Sequence, residues 1–175
     1  EEDWSKEMGF TEIIDACREI KEKDKVIEIL ARILKEAEIK NNNHMVWVYA
    51  EIGEYAQALQ VSETIKDGFL KSGALVTVVK GYVEDGQYDQ AFQVAETISD
   101  DSWKARAFTI IAARYIEIGQ KEKANDILFK ALLIAKIVKD TDNKARALAD
   151  IGVEYVRIRQ PTDERTRNVL QEIIE

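Results

Sequence analysis

Cys17 and His44 are the only thiol and the only imidazole in this 175-residue chain. Brought together, they could do nucleophilic chemistry, the imidazole taking the thiol proton. That needs contact between them and a third group to orient the base. They fall in different segments, and no third group is recognisable. Cys17 reads as a small apolar residue of a first helix pair. Asp and Glu number 33, yet none has the spacing of an acid/base pair or a metal-ligand set. A single cysteine excludes an intramolecular disulfide and a cysteine-based zinc site. No glycine-rich phosphate loop is present. The expectation is a protein that is not an enzyme and has no cofactor and no metal.

One charged feature does recur. Glu51, Glu84 and Glu117 each stand two residues after a tyrosine, and Arg157 holds the same place after Tyr155. In stacked units they would form a column. Such a column could be an acidic rail that selects a basic ligand. The reading preferred is a solvated edge that keeps the protein soluble.

The elements that position these residues follow from an internal repeat, which has to be sought first because it decides the fold. Tyr49-Ala-Glu-Ile-Gly53-Glu-Tyr-Ala-Gln-Ala58 aligns with Tyr82-Val-Glu-Asp-Gly86-Gln-Tyr-Asp-Gln-Ala91 and with Tyr115-Ile-Glu-Ile-Gly119-Gln-Lys-Glu-Lys-Ala124. The tyrosines are 33 residues apart. Val61-Ser-Glu-Thr-Ile-Lys-Asp67 matches Val94-Ala-Glu-Thr-Ile-Ser-Asp100 in the same register. Lys104-Ala-Arg-Ala-Phe108 and Lys144-Ala-Arg-Ala-Leu148 match 40 residues apart, as do Tyr115 and Tyr155.

Each unit reads as two helices. Trp103, Ala107, Ile110, Ile111 and Ile118 recur at helical spacing. Asp67 and either Asp100 or Asp101 stand where an N-cap belongs. Gly119 follows the helix at C′, where glycine takes a left-handed conformation at little cost. Ala58, Ala91 and Ala124 let paired helices approach closely, with tyrosine rings against the contact and hydroxyls in water. The seven extra residues between Ala124 and Lys144 predict a longer second helix, since Asn125–Lys139 holds no breaker. Phe10, Ile13, Ile14 and Cys17 predict a first helix, and Val26, Ile27, Leu30, Ile33 and Leu34 its mate. A short helix is predicted over His44–Ile52, after the Asn41-Asn42-Asn43 break. Pro161 opens a last helix over about 162–174. The sum is about ten helices in five hairpins, with repeats at about 4–40, 41–67, 68–100, 101–140 and 141–175 of one domain.

This array resembles the tetratricopeptide repeat family over nearly the whole chain, most strongly over residues 45–155. That family's tyrosine, glycine, aromatic and alanine fall on Tyr49, Gly53, Tyr55 and Ala58, then on Tyr82, Gly86, Tyr88 and Ala91. Tyr115, Gly119 and Ala124 follow, with Lys121 in the aromatic place. The family's Leu-Gly pair is mostly missing, with Val46, Val79 and Ala112 at the glycine and only Gly152 keeping it. The resemblance implies an all-α fold, a right-handed superhelical α-solenoid of about five hairpins. It also implies a concave face lined by the first helices. Mapped by register, that face carries Trp47, Val76, Lys80, Thr109, Ala113, Val153 and Arg157. The implied function is a scaffold for a peptide or protein partner. Some members clamp a partner's terminal carboxylate. The places corresponding to that clamp hold Asn43, Trp47, Thr77, Arg106 and Ile110, and the basic–Asn set is incomplete, so that ligand is not expected.

Charge and ends bound the partners. Lys+Arg of 25 against Asp+Glu of 33 leaves a net charge of −8, which repels phosphate backbones. A basic or apolar partner is expected, and no nucleic acid. No run of about 18 apolar residues exists, so no membrane span is expected. Glu1-Glu2-Asp3-Trp4 does not read as a signal peptide, and the cytoplasm is the expected location. The alternative function is a structural one. Val169, Leu170, Ile173 and Ile174 leave the last helix apolar, and terminal repeats without a polar cap tend to pack on something. That would make the chain a self-associating or inter-domain packing module, with homo-oligomers forming through its ends.

Overall fold

The computed structural model describes residues 28–29 and 42–158, all of whose regular elements are helices. The helix pair expected over 10–34 lies outside these residues, except that Glu28 and Ile29 are helical and exposed. Cys17 and the helix expected after Pro161 also lie outside them. The chain divides into two compact units, Glu1–Lys66 and Asp67–Glu175.

In the first unit, α1 (Asn42–Glu51) pairs with α2 (Tyr55–Ser62). On these helices Val46, Val48 and Ala58 are fully buried, and Ala50 and Tyr55 nearly so. The second unit has α3 (Gly68–Glu84), α4 (Tyr88–Thr97), α5 (Asp101–Glu117), α6 (Lys121–Ile137) and α7 (Thr141–Ile158). There α3 packs on α4 and α5, α5 on α4, α6 and α7, and α6 on α7. Ala91, Ala124, Phe108, Ile111, Leu128, Leu132 and Ile151 are fully buried in these contacts. Each of the larger ones contributes about 1.5–3 kcal/mol on transfer from water.

The three glycine turns are alike in detail. Gly53, Gly86 and Gly119 have φ of 77°, 73° and 77°. The amides of Glu54, Gln87 and Gln120 each donate to the carbonyl of the recurring tyrosine, at 2.8 Å in every case. Each glycine amide donates three residues back, to Ala50, Val83 and Ile116. This paired closure satisfies carbonyls that a helix end leaves orphaned, and it requires a left-handed residue at the glycine. The chain therefore enters α2, α4 and α6 directly, with no side-chain N-cap.

The first helices start differently. Asp67 accepts from the Leu70 amide at 2.9 Å, and Asp140 from Asn143 at 2.8 Å. Asp100, not Asp101, caps α5, accepting from the amides of Ser102 and Trp103 at 3.0 Å. The buried Ser72 hydroxyl accepts from the Asp100 amide at 3.3 Å, which ties α3 to the start of α5. The added residues of the fourth repeat lengthen its second helix as expected: α6 has 17 residues where α4 has 10.

Two details depart from the reading of periodicity. Ile118 is 40% exposed and Ile110 is half-buried, and the core stripe of α5 is instead Ala105, Ala107, Phe108, Ile111 and Ala112. α5 is covered by four helices, α3, α4, α6 and α7, so its buried arc is wider than one helical stripe, and small residues fill the closest approaches. Tyr155 is buried outright at 1% exposure, whereas Tyr49, Tyr82 and Tyr115 are half-buried.

Candidate partner-binding groove

The helices α3, α5 and α7 lie in series, and a groove of about 440 Å³ runs across them. Its lining comes from Lys80 on α3, from Arg106, Thr109, Ile110 and Ala113 on α5, and from Asp150, Val153 and Glu154 on α7. Four residues mapped by register to a binding face, Lys80, Thr109, Ala113 and Val153, thus come together. Ala113 on α5 and Val153 on α7 stand at the margin of the buried arcs of those helices, where the first helices adjoin.

Their chemistry is unequal. Val153 is 59% exposed and offers an apolar contact. Lys80 pairs loosely with Glu84 at 3.6 Å, both well exposed. Thr109 is buried, and its hydroxyl donates to the Ala105 carbonyl at 2.9 Å. It therefore presents little but its edge. Arg157 stands beside the groove, its Nη1 donating to both oxygens of Glu154 at 2.8 and 3.0 Å.

Val76 and Trp47 do not join this lining. Val76 is 7% exposed. It lies one turn before Lys80 on α3, which is covered by both α4 and α5 and so draws a wide arc into the core. Trp47 is half-buried on α1, in the first unit.

Two of the three recurring glutamates, Glu84 and Glu117, face cations of the same chain. Glu84 faces Lys80. Glu117 accepts from Arg114 Nη1 at 2.8 Å and from Arg157 Nη2 at 3.5 Å. The Arg114 hydrogen bond is the chief reason the Glu117 carboxyl sits below the usual carboxylate range. Partial desolvation opposes it and Arg157 adds to it. Such exposed pairs stabilise little, but they leave no free acidic rail at Glu84 and Glu117.

A second hollow, of about 70 Å³, adjoins the groove and shares Arg106 and Asp150 with it. Phe69, Ser102, Trp103, Asn143, Arg146 and Ala147 complete its walls. The Trp103 ring lies 5.4 Å from Phe69 and carries the Arg106 guanidinium 5.4 Å above it. None of Phe69, Trp103, Arg106 or Arg146 follows from the mapped face. Two signals touch the arginines: the clamp mapping names Arg106, and the repeated Lys-Ala-Arg-Ala places Arg106 and Arg146 in register.

Among the described residues, no three His, Cys, Asp or Glu side chains cluster as metal ligands, and no helix is long and apolar enough to cross a membrane. No family model matches the chain, and no curated protein or solved structure is significantly similar to it.

Proposed function

We propose that this protein is a non-catalytic interaction scaffold, a tetratricopeptide-like solenoid that holds a peptide segment of a partner along the first helices. The observation that carries this reading is the groove across α3, α5 and α7, with Lys80, Ala113 and the exposed Val153 on successive first helices. Stacked hairpins present such a surface by repetition. The groove mixes apolar and charged contacts, as peptide-docking surfaces do. The test is an unbiased peptide array against the full chain and its Val153→Asp variant. Peptides lost with that exposed substitution support the reading. Binding indifferent to every groove substitution sinks it.

A second reading has its own observation. Leu133 and Ile137 on α6 and Val153 and Val156 on α7 are 51–64% exposed. Apolar side chains in that number are where a second copy, or another part of a longer protein, would pack. Sedimentation equilibrium separates the two readings: self-association abolished by Ile137→Lys and Val156→Lys favours packing, and a monomer at all concentrations favours the scaffold.

A further inference from the structure

We infer that the hollow beside the groove receives an acidic side chain of the bound peptide, held between Arg106 and Arg146. This deepens the scaffold reading and rests on it. The repeated Lys-Ala-Arg-Ala motif separates into duties. Lys104 Nζ donates to the Glu96 carbonyl at 2.7 Å, and Lys144 Nζ to the Lys136 carbonyl at 2.8 Å, each closing the end of the preceding second helix. Ala107 and Ala147 are buried. The arginines have no such duty. Both are exposed, and neither makes an ion pair with a described residue. Both nevertheless line the same hollow.

The walls suit a carboxylate. The Arg106 guanidinium lies over the Trp103 ring, 5.4 Å from its centroid, a cation–π contact that leaves its N–H groups without a carboxylate partner among the described residues. Asp150 is the one acid in the lining, so two cations face one anion. The volume, about 70 Å³, exceeds what a single water needs and admits a carboxylate. The sign is opposite to the basic partner that the net charge of −8 suggests. In an acidic chain this hollow is a local exception.

The probe is a fluorescein-labelled library of Leu/Ala peptides carrying one Glu, amidated at the C-terminus, beside the same library with Gln and with Lys. Amidation removes the terminal carboxylate, so binding reports the side chain. Binding to the full chain is read by anisotropy, and the Trp103 indole N–H by NMR. Glu peptides are expected to bind best, with the Trp103 N–H signal shifting on binding. Arg106→Gln and Arg146→Gln each weaken them about tenfold, as loss of a charge-assisted bond does. Both arginines are exposed, and an unchanged thermal midpoint shows that the fold is kept. Equal binding of Glu and Gln peptides overturns the inference, as does insensitivity to both arginine variants. If Gln or Lys peptides bind and only Val153→Asp releases them, the groove reading stands and this one falls. If no peptide binds, both fall.

Discussion

Arg157 Nη2 lies 3.5 Å from Glu117 Oε1, a contact between residues 40 apart that occupy the same place in successive repeats. It joins the ends of α5 and α7 and turns a recurring glutamate into a charge pair where the last unit substitutes arginine. Both side chains are more than 40% exposed, so the contact sets local ionisation far more than stability.

Titration of Glu117 checks this directly. Its folded carboxyl titrates below the ordinary range, so the contribution is complete above the unfolded value and is lost as pH falls through the folded one. In carbon-detected NMR, Arg114→Gln is expected to raise the Glu117 midpoint more than Arg157→Gln, because the Arg114 bond is the larger cause. An equal or reversed order would contradict the geometry. Stability at neutral pH is expected to change little, because solvent screens these exposed charges.

The glycine turns make a sharper prediction. A Cβ at Gly119 meets nothing within 4 Å, but φ there is +77°. Gly119→Ala should therefore destabilise by about 1–2 kcal/mol through backbone conformation alone. Gly68 is equally open and lies at the start of α3 with no positive φ. Gly68→Ala should be neutral or slightly stabilising. Urea denaturation of the two variants measures the difference, and equal midpoints would refute the assignment.

Capping separates the two kinds of helix start. Asp100→Ala removes an acceptor for two amides and is expected to cost about 0.5–2 kcal/mol. Gln120→Ala removes no cap bond, because the glycine turn feeds α6 directly, and should be near neutral. Thermal denaturation compares them.

Gly73 and Trp103 form a contact between α3 and α5. A Cβ at Gly73 would stand 3.3 Å from the indole Cζ2. Gly73→Val is expected to displace the Trp103 ring, to destabilise by about 1–3 kcal/mol as overpacking does, and to alter the near-ultraviolet circular dichroism. Trp103→Phe in the same chain should relieve part of the loss. A Gly73→Val protein with unchanged near-ultraviolet signal would show the contact to be loose.

Much of the molecule could be read from residue order. The glycine turns, the aspartate caps, the buried Ala91 and Ala124 and the extended α6 all matched, because each depends on neighbours within a turn or two. The site was legible only in outline. Lys80, Thr109, Ala113 and Val153 meet in one groove, yet Val76, in the same register, is buried, and Thr109 spends its hydroxyl on its own helix. Register places a residue on an arc of a helix, but the width of the covered arc depends on how many helices pack there. The Trp103 hollow had a register signal only in Arg106 and Arg146, because tryptophan at helical spacing reads as core.

By itself the sequence determined the helices and their stops: a left-handed glycine, a carboxylate cap and a 33-residue period are encoded in short stretches of chain. Only the tertiary structure decided which of the repeated side chains are consumed and which are left available. Lys104 and Arg106 stand two residues apart in the same motif. One reaches back to close a helix end and the other faces a hollow, because burial and partnership are set by what the fold brings across from elsewhere in the chain.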